Sequence, residues 1–202
     1  MAVMLTVGHG ARSAEALLTV LQQAGVATLI DIRRFPGSRR HPQFAREALA
    51  AHLPAGGIRY EWQGDELGGR RPRRASSRHV ALVDAAFGGY ADHMDTPAFR
   101  SAVQALVRRA EADERLAVMC AETLWWRCHR SLVADALACR GVDVVHLIDA
   151  ARREPHHVRA TMRCGDDGWP VYDVDDTLPP QTTSEKEDRA DGIQYKRRRR
   201  AR

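Results

Sequence analysis

Two short stretches concentrate the groups that do chemistry: Met119-Cys120-Ala121-Glu122, and then Arg127-Cys128-His129-Arg130-Ser131. A cysteine is a nucleophile only as its thiolate, and a helix N-terminus, an arginine or a histidinium lowers its pKa. Cys120 is thus a candidate nucleophile, steadied by His129 and Arg130, with Cys128 at hand to contact a substrate. Glu122 is a candidate acid–base group that activates water or stabilises a cationic sugar. The blander reading of Cys120 alone is a small buried hydrophobe. The interval between Cys120 and Cys128 is longer than zinc-site spacing allows, and Cys139 and Cys164 stand apart, so no metal is expected.

A second constellation is Asp31-Ile32-Arg33-Arg34-Phe35-Pro36-Gly37-Ser38-Arg39-Arg40. Guanidinium forks bind phosphate or carboxylate bidentately, so Arg33, Arg34, Arg39 and Arg40 read as anion-binding residues. Asp31 is a second candidate carboxylate. Gly8-His9-Gly10 resembles a phosphate turn only weakly; no dinucleotide fingerprint or P-loop follows any strand, and no cofactor is expected. His9 nevertheless joins the candidate binding residues. Trp62, Trp125 and Trp126 sit in or beside expected loops, where they would stack on bases or fill the core beneath.

These residues need a scaffold that gathers them. Strand-length apolar runs occur at 3–7, 26–32, 58–62, 116–120 and 142–148. Helical patterns occur at 14–24, 44–53, 79–94, 97–112 and 131–139, with Ser13 as an N-cap and Pro97 at a first helical position. The order β-α-β-α-β-α-α-β-α-β predicts an α/β fold: a mostly parallel, Rossmann-like sheet with helices on both faces in three layers. In such sheets ligands bind beyond the carboxyl ends of the strands. That rule brings His9, Asp31, Arg33, Cys120 and Glu122 to one rim. The polar stretch 63–77 is expected to be a long mobile loop.

The length of 202 residues suits one domain, expected over 1–164, followed by a flexible tail over 165–202, acidic and then basic. With 44% hydrophobic and 28% charged residues the chain is not a disordered one, and no apolar run is long enough to span a membrane. No secretory signal is visible and four cysteines are too few for a disulfide scaffold, so a soluble, cytoplasmic protein is expected. The net charge of +5 misleads. The six cations among 196–202 exceed it, leaving −1 over 1–195, where a basic segment of +7 (Arg33 to Arg78) faces an acidic one of −7 (His79 to Tyr195).

Thr6-Val7-Gly8-His9, the Asp31–Phe44 segment, Tyr90-Ala91-Asp92-His93-Met94 and the two cysteine-bearing stretches resemble, in order, the motifs of the DUF488 family over about residues 4–150. The resemblance implies a compact α/β fold and points to the same polar residues, without supplying a reaction. Leu124-Trp125-Trp126 departs from the short polar residues usual there in the family.

Three functions follow as expectations. The first is a hydrolase of nucleic acid or nucleotides, of base-excising type, in which arginines hold phosphate, tryptophans stack a base, and Glu122 or Asp31 drives the chemistry. The second is a rhodanese-like sulfurtransferase using Cys120. The third is a non-catalytic nucleic-acid-binding module, for which the arginines and the basic tail would suffice.

Overall fold

The computed structural model describes residues 1–37 and 40–174. Arg39 and the tail over 175–202 lie outside the described residues. Five parallel strands, β1 (Val3–Gly8), β2 (Thr28–Asp31), β3 (Arg59–Trp62), β4 (Leu116–Cys120) and β5 (Asp143–Leu147), form one sheet with β6 (Arg153–Pro155), which pairs antiparallel to β5. The strand order is β3-β2-β4-β1-β5-β6.

Alternation along the strands assigns the two faces. Leu5 and Val7 of β1, Leu29 of β2, and Ala117 and Met119 of β4 pack with Leu17 and Leu21 of helix α1 (Ala14–Gln23) and Leu49 and Leu53 of α2 (Arg46–Ala55). Met4, Ile30, Leu116, Val118 and Cys120 point the other way. They meet α4 (Ala85–Met94), α5 (Pro97–Glu111) and α6 (Arg130–Cys139). The three layers expected from the sequence are present. The inner strands β1, β2 and β4 are largely apolar on both sides because helices cover both sides, whereas the edge strands β3 and β6 are polar and partly exposed.

Helix starts follow the local chemistry. Ser13 Oγ accepts from the Ala16 N–H, and Thr96 Oγ1 accepts from the Phe99 N–H ahead of Pro97. The helix expected over 79–94 begins only at Ala85, because the Asp84 carboxylate caps it through the Ala86 and Phe87 N–H groups.

Two expectations are corrected. The packed chain does not stop at Cys164: β7 (Met162–Cys164) and β8 (Pro170–Tyr172) form a hairpin that carries Trp169, Val171 and Tyr172 into buried positions. Cys139 and Cys164, isolated in sequence, are joined in a disulfide between the end of α6 and that hairpin.

The segment 63–77 is not a free loop either. It contains a helical turn, α3 (Gly64–Leu67), and its polar backbone is tied to α4. Tyr90 Oη donates to the Leu67 carbonyl at 2.6 Å, and the Arg74 N–H donates to Asp92 Oδ2 at 2.7 Å. The close approach needs Gly89: a Cβ there would lie 2.1 Å from the Arg71 carbonyl oxygen. We expect Gly89→Ala to push α4 off this segment and cost about 1–3 kcal/mol, as overpacking does, read from the urea midpoint.

Candidate active site

β4 and β1 are adjacent, but the chain leaves β1 toward β2 and leaves β4 toward β5. This reversal opens a crevice at their carboxyl ends. Gly8 and Gly10 let the loop after β4 close over it: a Cβ on Gly8 would fall 1.9 Å from the Glu122 carbonyl oxygen, and Gly10 has φ +55° with Thr123 Oγ1 against it. Gly8-His9-Gly10 is therefore a packing device beneath the 121–123 loop.

Beside this loop lies a cavity of about 300 Å³, the lower end of the range of small-molecule sites. Cys120, Cys128, His129 and Tyr90 line it together with the aromatic rings of Phe35 and Phe87. Arg33, Arg34, Arg70, Arg127 and Glu122 also border it.

The two thiols touch. Cys128 Sγ–H donates to Cys120 Sγ at 2.8 Å, and the Arg130 N–H at the start of α6 donates to Cys128 Sγ at 3.4 Å. Burial pushes the Cys120 thiol up, but the Cys128 hydrogen bond and the Arg130 guanidinium outweigh it and hold Cys120 at about 7. Cys128 is raised well above the usual thiol range, by its hydrogen bond to Cys120 and by burial. Of the two thiols Cys120 is therefore the one that ionises first, as the pH rises through about 7, while Cys128 keeps its proton.

Arg130 is 1% exposed and makes no ion pair with a carboxylate among the described residues. Its Nη2 donates to the Glu122 and Thr123 carbonyls, while its Nε and Nη1 are buried without a partner. A buried cation without a carboxylate needs another counter-charge, and the Cys120 thiolate supplies it.

Three imidazoles are neutral at neutral pH, namely those of His129, His9 and His146. His129 Nε2–H donates to the Ile32 carbonyl at 3.3 Å, leaving Nδ1 as an acceptor 3.5 Å from Cys128 Sγ. Burial lowers His129 to about 4. His9 donates from Nδ1 to the Gly10 carbonyl, its Nε2 faces Arg33 Nη1, and burial followed by Arg33 lowers it to about 4. His146, stacked on Trp125 with ring centroids 4.1 Å apart, is pushed down to about 2, chiefly by burial. Each folded value lies below the unfolded value of about 6.5, so the unfolded chain takes up protons first as the pH falls. Stability should be complete above about pH 6.5 and decline from there toward pH 4. Urea midpoints that stay flat across that window would contradict burial of neutral imidazoles.

The expected site residues divide into two groups. Cys120, Glu122, Cys128, His129, Arg33 and Arg34 come together at the cavity. Asp31 does not line it. That fully buried carboxylate accepts from the Arg33 N–H and Nε at 3.0 and 2.8 Å and from Tyr60 Oη at 2.8 Å. It is an anchor for Arg33. His9 stands behind the same arginine, and Trp62 Nε1 donates to the Arg33 carbonyl while Arg46 covers its ring. Arg40 is exposed and does not line the cavity.

Trp125 and Trp126 also lie outside it. Trp125 donates to Glu154 and packs on His146, and Trp126 is half exposed at its edge. The aromatic walls are instead Phe35, Phe87 and Tyr90, with Arg34 and Arg70 flanking Phe35 at 5.4 and 5.8 Å. The Gly88-Gly89 pair inside a helical run is the sequence signal for the close approach that brings α4 here.

Among the described residues no three metal-binding side chains converge, and no helix is long and apolar enough to cross a membrane. The model of the family described as a domain of unknown function, DUF488, matches residues 13–137. No curated protein and no solved structure matches the chain.

Proposed function

Because the chain belongs to the DUF488 family, whose function is unknown, its reaction has to come from its own site, and we propose a thiol enzyme that accepts sulfur from small anionic donors. The observation that carries this reading is the Cys120–Cys128 contact at 2.8 Å on the cavity wall, beside the buried and partly unpaired Arg130. The Cys120 thiolate attacks the outer sulfur of a thiosulfonate-type donor. The donor's bond to that sulfur breaks, its sulfinate leaves with the electron pair, and Cys120 is left as a persulfide. Arg34, Arg70 and Arg127 make no ion pair with a carboxylate among the described residues and are free to hold the leaving anion. A thiol pair that works reduced suits the cytoplasm, whereas the Cys139–Cys164 disulfide is a bond more usual outside it.

The test is to mix the protein, its Cys139–Cys164 bond intact, with benzenethiosulfonate, whose flat ring and anionic thiosulfonate match the aromatic walls and the arginine rim. One equivalent of benzenesulfinate should be released per chain, and in Cys128→Ser peptide mapping should place one added sulfur on Cys120. No release of sulfinate, or sulfur placed elsewhere, would overturn the reading.

A second reading rests on Glu122, which borders the cavity, is exposed and has no ion pair among the described residues. Phe35, Phe87 and Tyr90 would enclose a base, the arginines would hold the phosphates of a nucleic acid or nucleotide, and Glu122 would activate water. Glu122→Gln should then abolish base release yet leave sulfur acceptance by Cys120 unchanged. A non-catalytic nucleic-acid binder would keep its affinity in both Glu122→Gln and Cys120→Ala.

A further inference from the structure

Cys128 sits closer to Cys120 than positioning of a thiolate requires. At 2.8 Å the two sulfurs are within about 0.8 Å of a covalent disulfide. Both line the same cavity, so a closed pair would sit where substrate chemistry ends. Cys128 is also equipped to become a nucleophile in its turn. The first turn of α6 offers its sulfur the Arg130 N–H at 3.4 Å, and helix N-termini favour thiolates. The neutral Nδ1 of His129, 3.5 Å away, is an acceptor for its proton.

Resting on the sulfur-accepting reading above, we infer that Cys128 is the resolving thiol of this site. It discharges the Cys120 persulfide as sulfide and closes a Cys120–Cys128 disulfide.

Which sulfur is attacked decides the product. Attack on the outer sulfur would only pass it from one cysteine to the other. The contact in the structure is to Cys120 Sγ, the inner sulfur of the persulfide. A new bond forms between the two Sγ atoms, and the bond from Cys120 Sγ to the outer sulfur breaks. The outer sulfur leaves with that electron pair and itself takes up the proton released by Cys128. The two electrons that reduce it to hydrosulfide come from the thiol pair, which ends oxidised. An external dithiol then returns both cysteines to thiols, and one disulfide of that reductant is formed for each sulfide released. The chain would therefore consume sulfane sulfur as an oxidant of dithiols, with hydrosulfide as its product.

A single-turnover experiment tests this. The intact protein, reduced at Cys120 and Cys128, is mixed with one equivalent of benzenethiosulfonate in the absence of reductant. Expected are one equivalent of sulfide per chain and a tryptic peptide pair joining Cys120 to Cys128. Cys128→Ser should stop at a stable Cys120 persulfide, with sulfide release at least tenfold slower. A persulfide on the unsubstituted protein that persists, with neither sulfide nor the disulfide, overturns the resolving role while leaving sulfur acceptance in place. So does wild-type sulfide release from Cys128→Ser. Absence of sulfur transfer to the unsubstituted protein overturns both readings. The peptide map needs no variant, so the result stands even if Cys128→Ser folds poorly.

Discussion

Cys120→Ser should lower the rate of sulfur acceptance by about 10³-fold or more, the scale on which loss of a covalent nucleophile is felt. Serine keeps the size of the buried side chain but cannot offer an anion near neutral pH. Cys120 is held at about 7 by Cys128 and Arg130 against its own burial, so the wild-type rate should climb as the pH rises through 7 and level off above it. Rapid-quench measurement of persulfide formation across pH checks both statements. A variant within tenfold of wild type would remove Cys120 from the reaction and leave Glu122 as the group to pursue. The substitution should also disturb Arg130, whose buried Nε and Nη1 have no partner. Lower stability at pH 8 in the variant, seen as a smaller urea midpoint, would report the lost counter-charge.

Asp31→Asn should be the most damaging change that leaves shape nearly intact, at about 3–5 kcal/mol, the cost of breaking a buried ion pair from one side. Asp31 is fully buried, and Arg33 is 7% exposed. The carboxylate takes three hydrogen bonds from Arg33 and one from Tyr60. An amide of the same shape leaves a guanidinium charge uncompensated in the sheet rim, beside the neutral His9 and the Phe44 carbonyl. Urea unfolding at pH 7 measures the effect. A loss under about 1 kcal/mol would mean that Arg33 swings out to water and that the pair is worth no more than an exposed one. Because Arg33 borders the cavity, the variant should also bind anionic donors less well than wild type.

Much of the architecture was legible in the chain. The five expected runs became the five parallel strands; the inner ones are largely apolar because helices cover both faces, while β3 at the sheet edge is Arg-Tyr-Glu-Trp and only partly buried. Ser13 and Thr96-Pro97 start helices where their cap chemistry places them. The strand-end rule brought Cys120, Glu122 and Arg33 to one rim, and the structure puts all three at one cavity. What failed, failed for stated causes. Asp31 looked like a catalytic carboxylate because its type was visible and its partners were not. Trp125 and Trp126 looked like stacking platforms because a loop position does not say which way a ring turns.

The sequence by itself settled the order of elements and which residues end at the strand tips, because periodicity and capping are local physics. It also separated the basic 196–202 run from a body near neutrality. Only the tertiary structure decided which of those residues meet. Cys120 ends β4 and Cys128 lies eight residues on, just before α6, and their 2.8 Å contact exists because the loop after β4 folds back over Gly8 and Gly10. Arg130 without a carboxylate, Arg33 with one, and α4 pressed against 70–74 through Gly89 are likewise outcomes of packing. Charge type is written in the chain, but burial and pairing set what each charge does, and both are properties of the folded whole.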